Sequence, residues 1–241
     1  MFWKKHKTPD FSVLHTDLHS HLIPGIDDGA PDIATSLQLI KGLADLGFKK
    51  LITTPHIMQE LYPNTRETIL EKMEELNAEV KKQGMNIGIH AAAEYFLDDH
   101  FAELLEDKKP LLVISGNKVL VEFSFANPSF ALKEILFDMQ MQGYIPVLAH
   151  PERYLYLEKS KSFCDELKAA GCLFQLNILS LGLYYGKEVQ AFAQNLIKKG
   201  YYELIGTDLH HSRHLEALRD SKLISPLNKL LDSGRIINNQ L

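Results

Sequence analysis

The chain has 241 residues, 45% of them hydrophobic, and its 26 Lys and Arg against 31 Asp and Glu give a net charge of −5. That length suits one barrel-sized α/β domain whose apolar content builds a core without metal or disulfide staples, and the composition excludes collagen-like, disordered and disulfide-rich classes. The acidic balance argues against nucleic acid as a main partner, because phosphate-backbone binding draws on clustered Lys and Arg.

The chain opens on Met1-Phe2-Trp3-Lys4-Lys5-His6-Lys7, a basic start with no apolar segment behind it. No later stretch approaches the ~18 apolar residues of a membrane span, so the expectation is a soluble cytoplasmic protein with no membrane insertion. Residues 1–12 read as a short N-terminal extension, with Lys4, Lys5 and Lys7 as a frayed, solvated cluster. Seven βα units follow, and most of their strands are nearly continuous apolar runs, as strands buried on both faces should be.

In chain order the pattern predicts a strand at 14–19 and a helix at 33–46, a strand at 51–55 and a helix at 65–83, then a strand at 87–94 and a helix at 98–106. Further strands are expected at 119–125, 145–150, 173–177 and 204–207, with helices at 130–142, 159–170 and 187–199 between and after them. The helix at 65–83 is the clearest, because Ile69, Met73, Leu76 and Val80 fall on one face. Gly47, Gly84, Gly143, Gly171 and Gly200 each stand just past a helix, where a left-handed end is needed. Residues 214–241 read as a helix or two that close or cover the barrel. No linker divides the chain, so 1–241 is expected to be one domain. Its two cysteines, Cys164 on a helix and Cys172 at the start of a strand, have no zinc spacing and read as buried thiols.

In a βα barrel the loops after the strands share one face, and residues there converge on a pocket. The strand ends of this chain carry His19-x-His21 with Asp27 and Asp28 in the next loop, His56 after Thr53-Thr54-Pro55, Glu94, Glu122, His150-Pro151-Glu152-Arg153, and Asp208-x-His210. Asn177 ends the sixth strand as a weaker candidate. Taken singly, each has an ordinary explanation as a hydrogen-bonded histidine, a paired carboxylate or a helix cap. Gathered together, four buried carboxylates without enough nearby cations call for metal ions as the compensating charge. Mixed His and carboxylate ligation without cysteine suits Mn²⁺, Fe or Zn²⁺, and the carboxylates favour the harder ions. His6, His15, His90, His100, His211 and His214 fall outside this pattern.

These ordered residues resemble the PHP (polymerase and histidinol phosphatase) family. Leu18-His19-Ser20-His21-Leu22-Ile23-Pro24-Gly25-Ile26-Asp27-Asp28-Gly29 and His150-Pro151-Glu152-Arg153-Tyr154 are similar to its branch of bacterial manganese-dependent protein-tyrosine phosphatases from capsule and exopolysaccharide gene clusters. The resemblance spans about residues 15–214 and implies a distorted seven-stranded (β/α) TIM-like barrel with three metals. It implies that His19, His21, Glu94 and Asp208 hold the first metal, that Glu94 bridges to a second held by Glu122 and His150, and that Asp28, His56 and His210 hold a third. Glu122 stands where many relatives, including histidinol phosphatases, have histidine, which fits the tyrosine-phosphatase branch.

The implied reaction is attack on phosphotyrosine by a hydroxide shared between two metals, with Arg153 and Arg213 as candidate phosphate clamps and Asp208 as a candidate proton donor. Tyr62, Phe125 and Tyr154 lie in strand-end loops where a substrate ring could be flanked, and ordinary packing is the favoured reading for each. The implied partner is a phosphotyrosine protein, with the tyrosine-rich tail of a polysaccharide-export kinase as the expected ligand. Other readings stay open at this point: a small phosphomonoester such as histidinol phosphate, a metal-binding regulatory domain without turnover, and a metal-dependent exonuclease, which the acidic charge disfavours. An amidohydrolase shares the opening His-x-His but fits the later strand ends poorly.

Overall fold

The computed structural model describes residues 8–127, 131–160 and 162–241. The basic cluster with His6, the Phe130 start of the fourth expected helix, and Lys161 in the fifth lie outside the described residues. The strands are β1 (Thr16–Asp17), β2 (Lys50–Thr53), β3 (His56–Ile57), β4 (Gly88–Ala91), β5 (Glu94–Phe96), β6 (Lys118–Glu122), β7 (Ile145–Ala149), β8 (Leu173–Asn177) and β9 (Tyr202–Gly206). Every pairing between them is parallel. The helices are α1 (Ile33–Asp45), α2 (Arg66–Lys82), α3 (Asp99–Glu106), α4 (Leu132–Met141), α5 (Leu155–Lys159), α6 (Phe163–Ala169), α7 (Lys187–Lys199), α8 (Ser212–Leu218) and α9 (Ile224–Leu231).

Two sheets form, β1-β2-β4 and β3-β5-β6-β7-β8-β9. The split falls at the end of the second expected strand, beyond which β3 is an additional piece, and inside the third, which divides into β4 and β5. Pro55, with no N–H to donate, stands between β2 and β3, and Ala92-Ala93 separate β4 from β5. The pieces still register: Ala92 N donates to Thr53 O at 2.8 Å and Glu94 N to Pro55 O at 3.1 Å. The end of β9 returns beside the residues after β1, where Asp208 N donates to His19 O at 2.7 Å and His21 N to Leu209 O at 2.9 Å. These contacts give the barrel-like α/β arrangement that the seven βα units predict.

The expected helix at 159–170 is instead two, α5 and α6. Ser160 and Ser162 flank the break, and serine competes for backbone hydrogen bonds in a way that favours helix ends. The first strand is also shorter than expected, because 12–14 form a 3₁₀ turn and His15 takes a left-handed φ of 61°. The five helix-end glycines all have positive φ, from 66° to 107°.

Two layers of apolar side chains result. The large outer layer joins strands to helices and includes Ile69, Met73, Leu76 and Val80 of α2, Cys164 and Cys172. A small inner cluster of Leu18, Ile52, Ala92, Ile114, Leu120, Val147, Ala149 and Leu204 fills the space within the strands. Strand alternation then places Glu122 on the same inner face as Leu120, one step nearer the strand ends.

The C-terminal segment covers this structure from two directions. On one side, Leu215 of α8 packs where Gly42 of α1 has no side chain; an added Cβ there would lie 2.2 Å from Leu215 Cδ2. At the N-terminal ends of the strands, buried Asn238 joins β1 to β9, with Nδ2 donating to Thr16 O at 3.0 Å and to Ile205 O at 2.6 Å. Ile237 and Leu241 pack beneath the inner cluster. At the other terminus, Phe11 is buried and stacks on Phe48 with ring centres 5.4 Å apart.

Candidate metal centre

Three short-range devices aim the first histidines inward. Thr53 Oγ1 donates to Ser20 O at 2.9 Å and accepts from Leu22 N at 3.0 Å, pinning the segment after β1. Gly206 makes room for His19, since a Cβ there would lie 2.6 Å from His19 Cβ and 2.8 Å from Gln175 Nε2. Gly29 does the same for the loop over His21, where an added Cβ would fall 2.3 Å from His21 O.

Hydrogen bonds then set the tautomers. His19 Nδ1 bonds Gln175 Oε1 at 2.9 Å, His21 Nδ1 bonds Asp27 Oδ2 at 2.7 Å, and His210 Nδ1 bonds Asp208 O at 2.9 Å. Each partner is an acceptor, so Nδ1 carries the proton and the Nε2 lone pair is turned the other way. His19 Nε2 lies 3.2 Å from Glu94 Oε2 and 3.3 Å from Asp208 Oδ1. His21 Nε2 lies 3.4 Å from Glu94 Oε2, 3.6 Å from Asp208 Oδ1 and 3.4 Å from His19 Nε2. Donors sharing one ion at bonds of about 2.0–2.2 Å stand about 2.8–3.6 Å apart, which is this spacing.

The remaining residues extend the cluster on both sides. His150 Nε2 is 3.2 Å from Glu94 Oε1 and 3.6 Å from Glu122 Oε1. His56 reaches two ways, with Nδ1 at 3.2 Å from Glu94 Oε2 and Nε2 at 3.5 Å from Asp28 Oδ1. His210 Nε2 stands 3.4 Å from the same Asp28 oxygen. Among the described residues three groups have donor atoms close enough to share an ion: His19, His21, Glu94 and Asp208; His21, Asp28, His56 and His210; and His56, Glu94 and Glu122. His21 and His56 each belong to two of them, a sharing that the sequence did not suggest.

The electrostatics match a site built for cations. Glu94 is fully buried and faces the imidazole nitrogens of His19, His21, His56 and His150 at 3.2–3.4 Å, so its charge is balanced only where those rings carry protons or ions are bound. Burial opposes charge on Glu94, yet nearby His19 and His56 hold it well below the usual carboxylate range. Glu122 goes the other way, pushed well up by burial and by the charge of Glu94. Burial and Arg153 push His150 down to about 4. Partial burial works against Asp28, but His210 and His56 beside it pull it down to about 2. These donors fit divalent ions, which would supply the positive charge that the buried carboxylates need.

Of the other candidates, Arg153 joins the cluster and Arg213 does not. Arg153 Nη1 donates to Asp208 Oδ2 at 2.8 Å. Arg213 is exposed on the first turn of α8 and makes no hydrogen bond or ion pair with the cluster among the described residues. Tyr62 stacks on His56 at 5.4 Å and 15°, and Phe125 on His150 at 5.8 Å and 15°. Tyr154 is fully buried and its hydroxyl accepts from Phe123 N, so it is a packing residue.

Supporting residues were mostly illegible beforehand. Gln175 and Asn177 left a trace as polar residues two apart in an apolar strand, which puts both on one face. His214, set aside in the sequence, accepts from His210 N at 3.2 Å. Asp17 accepts from Thr207 N and Oγ1 at 2.9 and 2.8 Å, fixing the turn before Asp208.

The chain is 29% identical over 198 residues to the tyrosine-protein phosphatase YwqE of Bacillus subtilis, a match covering 81% of this chain and 77% of that protein. It is 26% identical over 200 residues to the tyrosine-protein phosphatase CpsB of Streptococcus agalactiae, covering 81% and 82%. A crystal structure from work on YwqE of B. subtilis and CpsB of Streptococcus pneumoniae, described as unique metal-dependent tyrosine phosphatases, superposes with a TM-score of 0.80 at 26% identity, over 89% of this chain and 86% of that one. The model of the family for capsular polysaccharide synthesis, CpsB/CapC, matches residues 15–223, and the chain belongs to that family.

Proposed function

We propose that this chain is a metal-dependent phosphatase that hydrolyses phosphotyrosine in proteins and acts in the control of capsule or exopolysaccharide synthesis. The observation that carries this reading is the orientation of three imidazoles. With Nδ1 committed to Gln175, Asp27 and the Asp208 carbonyl, the Nε2 atoms of His19, His21 and His210 face Glu94, Asp208 and Asp28 at ligand spacing. We assign His19, His21, Glu94 and Asp208 to one ion, Glu94, Glu122 and His150 to a second, and Asp28, His56 and His210 to a third. The oxygen-rich donor set favours Mn²⁺ over softer ions, with Fe and Zn²⁺ as the next fits.

Bound divalent ions supply positive charge for the phosphoryl oxygens and lower the pKa of water enough for attack near neutral pH. The chain's own residues do the rest. Arg153 offers planar N–H donors to the phosphoryl group. Asp208 Oδ2 accepts from Arg153 and from Asn177, so besides lending Oδ1 to the first ion it orients the arginine, and a tyrosine leaving group with a free pKa of ~10 departs with less acid help than an alkoxide. Tyr62 and Phe125, stacked on His56 and His150, border the opening and suit an aromatic ester. Both cysteines are buried, so no thiol nucleophile takes part.

The named activity of the relatives supports a phosphotyrosine protein as substrate, and the tyrosine-rich tail of a polysaccharide-export kinase is the partner we favour. Among the described residues no helix is long and apolar enough to cross a membrane. The test compares Mn²⁺-loaded protein on a phosphotyrosine peptide and on histidinol phosphate. The peptide should win in kcat/KM by about tenfold or more, and His19→Ala should lose about 100-fold or more of the activity. The reverse preference would assign a small phosphomonoester; no phosphate release from either would sink the reading.

A further inference from the structure

Arg153 is gripped by more than its ion pair. Its guanidinium carbon lies 4.8 Å from the ring centre of Phe125 and 4.6 Å from that of Tyr185. Tyr185 is itself fixed, because Asn177 Nδ2 donates to its hydroxyl at 3.2 Å and to Asp208 Oδ2 at 3.0 Å. That same Asp208 oxygen accepts from Arg153 at 2.8 Å. Arg153, Asp208, Asn177 and Tyr185 thus close a ring of contacts. Phe125 leans against Tyr154 with centres 5.1 Å apart and remains 48% exposed at the mouth of the site.

A guanidinium carries five N–H donors in one plane, and the Asp208 bond uses one of them. A free arginine loses rotamer entropy on gripping an anion, so a side chain already held in place loses less. Rings that carry the cation's flat face leave its edge for hydrogen bonding.

We propose that Phe125 and Tyr185 are positioning residues that hold the Arg153 guanidinium ready for the phosphoryl group, so that phosphate affinity depends on two rings beside the arginine. The inference rests on the reading of the site as a phosphomonoester site. It differs from a simple role for Phe125 in touching the substrate's aromatic ring, and inorganic phosphate, which has no ring, separates the two.

The experiment measures KM and kcat for p-nitrophenyl phosphate, the inhibition constant and calorimetric Kd for inorganic phosphate, and metal content, in the Mn²⁺-loaded wild type, Phe125→Leu, Tyr185→Leu and Tyr185→Phe. Each leucine variant should weaken phosphate binding and raise KM by about 3- to 10-fold, with kcat changed by less than about twofold. Metal content should stay at the wild-type value, and Tyr185→Phe, which keeps the ring, should restore most of the affinity. In an Arg153→Lys background the leucine substitutions should add nothing further. Phosphate binding left unchanged by both leucine variants would overturn the clamp, as would an equal loss in the lysine background. If the wild type binds phosphate but turns over no ester, the phosphatase reading fails and the binding constants alone judge the clamp. If it binds no phosphate, both fall.

Discussion

His150 and Asp208 have φ values of 33° and 51°, a left-handed region that costs a non-glycine residue roughly 1–3 kcal/mol. Val147 and Ala149 both face the inner cluster, so strict alternation would turn His150 outward; the left-handed backbone brings it to Glu94 instead. The identities of the clustered residues were legible because each is a His, Asp or Glu at a strand end. Their orientation was not, since it depends on bonds to residues far away in sequence, such as Gln175 for His19. Asp27 illustrates the difference: in the sequence it is one of two adjacent carboxylates, while in the fold it bonds His21 Nδ1 and accepts from Gly29 N at 3.0 Å. Asp27→Ala should therefore weaken metal binding by about 10- to 100-fold although Asp27 is assigned to no ion. Isothermal titration of metal-free protein with Mn²⁺ checks this, and an unchanged affinity would remove Asp27 from the account.

Unbroken helices and strands were both legible, β8 at 173–177 to the residue, and the misreadings fall at breaks. The run of 187–199 was found to the residue, and α2 differs from its expected span by one residue at each end. Helical period and capping are local signals, whereas the breaks at Thr54-Pro55 and Ala92-Ala93 arise from how neighbouring strands pair. Thr65 caps α2 by accepting from Thr68 N at 3.2 Å, and its own N donates back to Thr68 Oγ1 at 2.9 Å. Thr65→Ala should cost about 1 kcal/mol of stability by denaturant titration while kcat/KM stays at the wild-type value. The buried thiols belong to the same scale. Burial pushes Cys164 up to about 11 and Cys172 up to about 12. A raised thiol pKa keeps the neutral form as pH rises, so neither becomes a reactive thiolate between pH 7 and 9. Iodoacetamide at pH 8 should leave native protein unlabelled and fully active; rapid inactivation would contradict both the burial and the metal-based reading.

At the scale of the molecule, residues 190 positions apart meet where Thr207 bonds Asp17, and Asn238 ties the first strand to the last from below. The alternation of strand and helix predicted a barrel-like sheet, with residues 214–241 expected to close or cover it, but nothing in the sequence told that the pairing divides into two sheets or that Asn238 makes the tie. The cluster of His and carboxylate side chains stands at the opposite end of the strands, where seven βα units converge. The fully buried Glu94, met by four imidazoles at 3.2–3.4 Å, makes cation binding the central claim. The most direct measurement removes metal with a chelator, restores Mn²⁺ stepwise, and follows bound metal by elemental analysis alongside phosphate release from a phosphotyrosine peptide. The account predicts that activity vanishes with the metal and returns as occupancy approaches three ions per chain. Full activity in the metal-free protein, or saturation below two ions per chain, would contradict it.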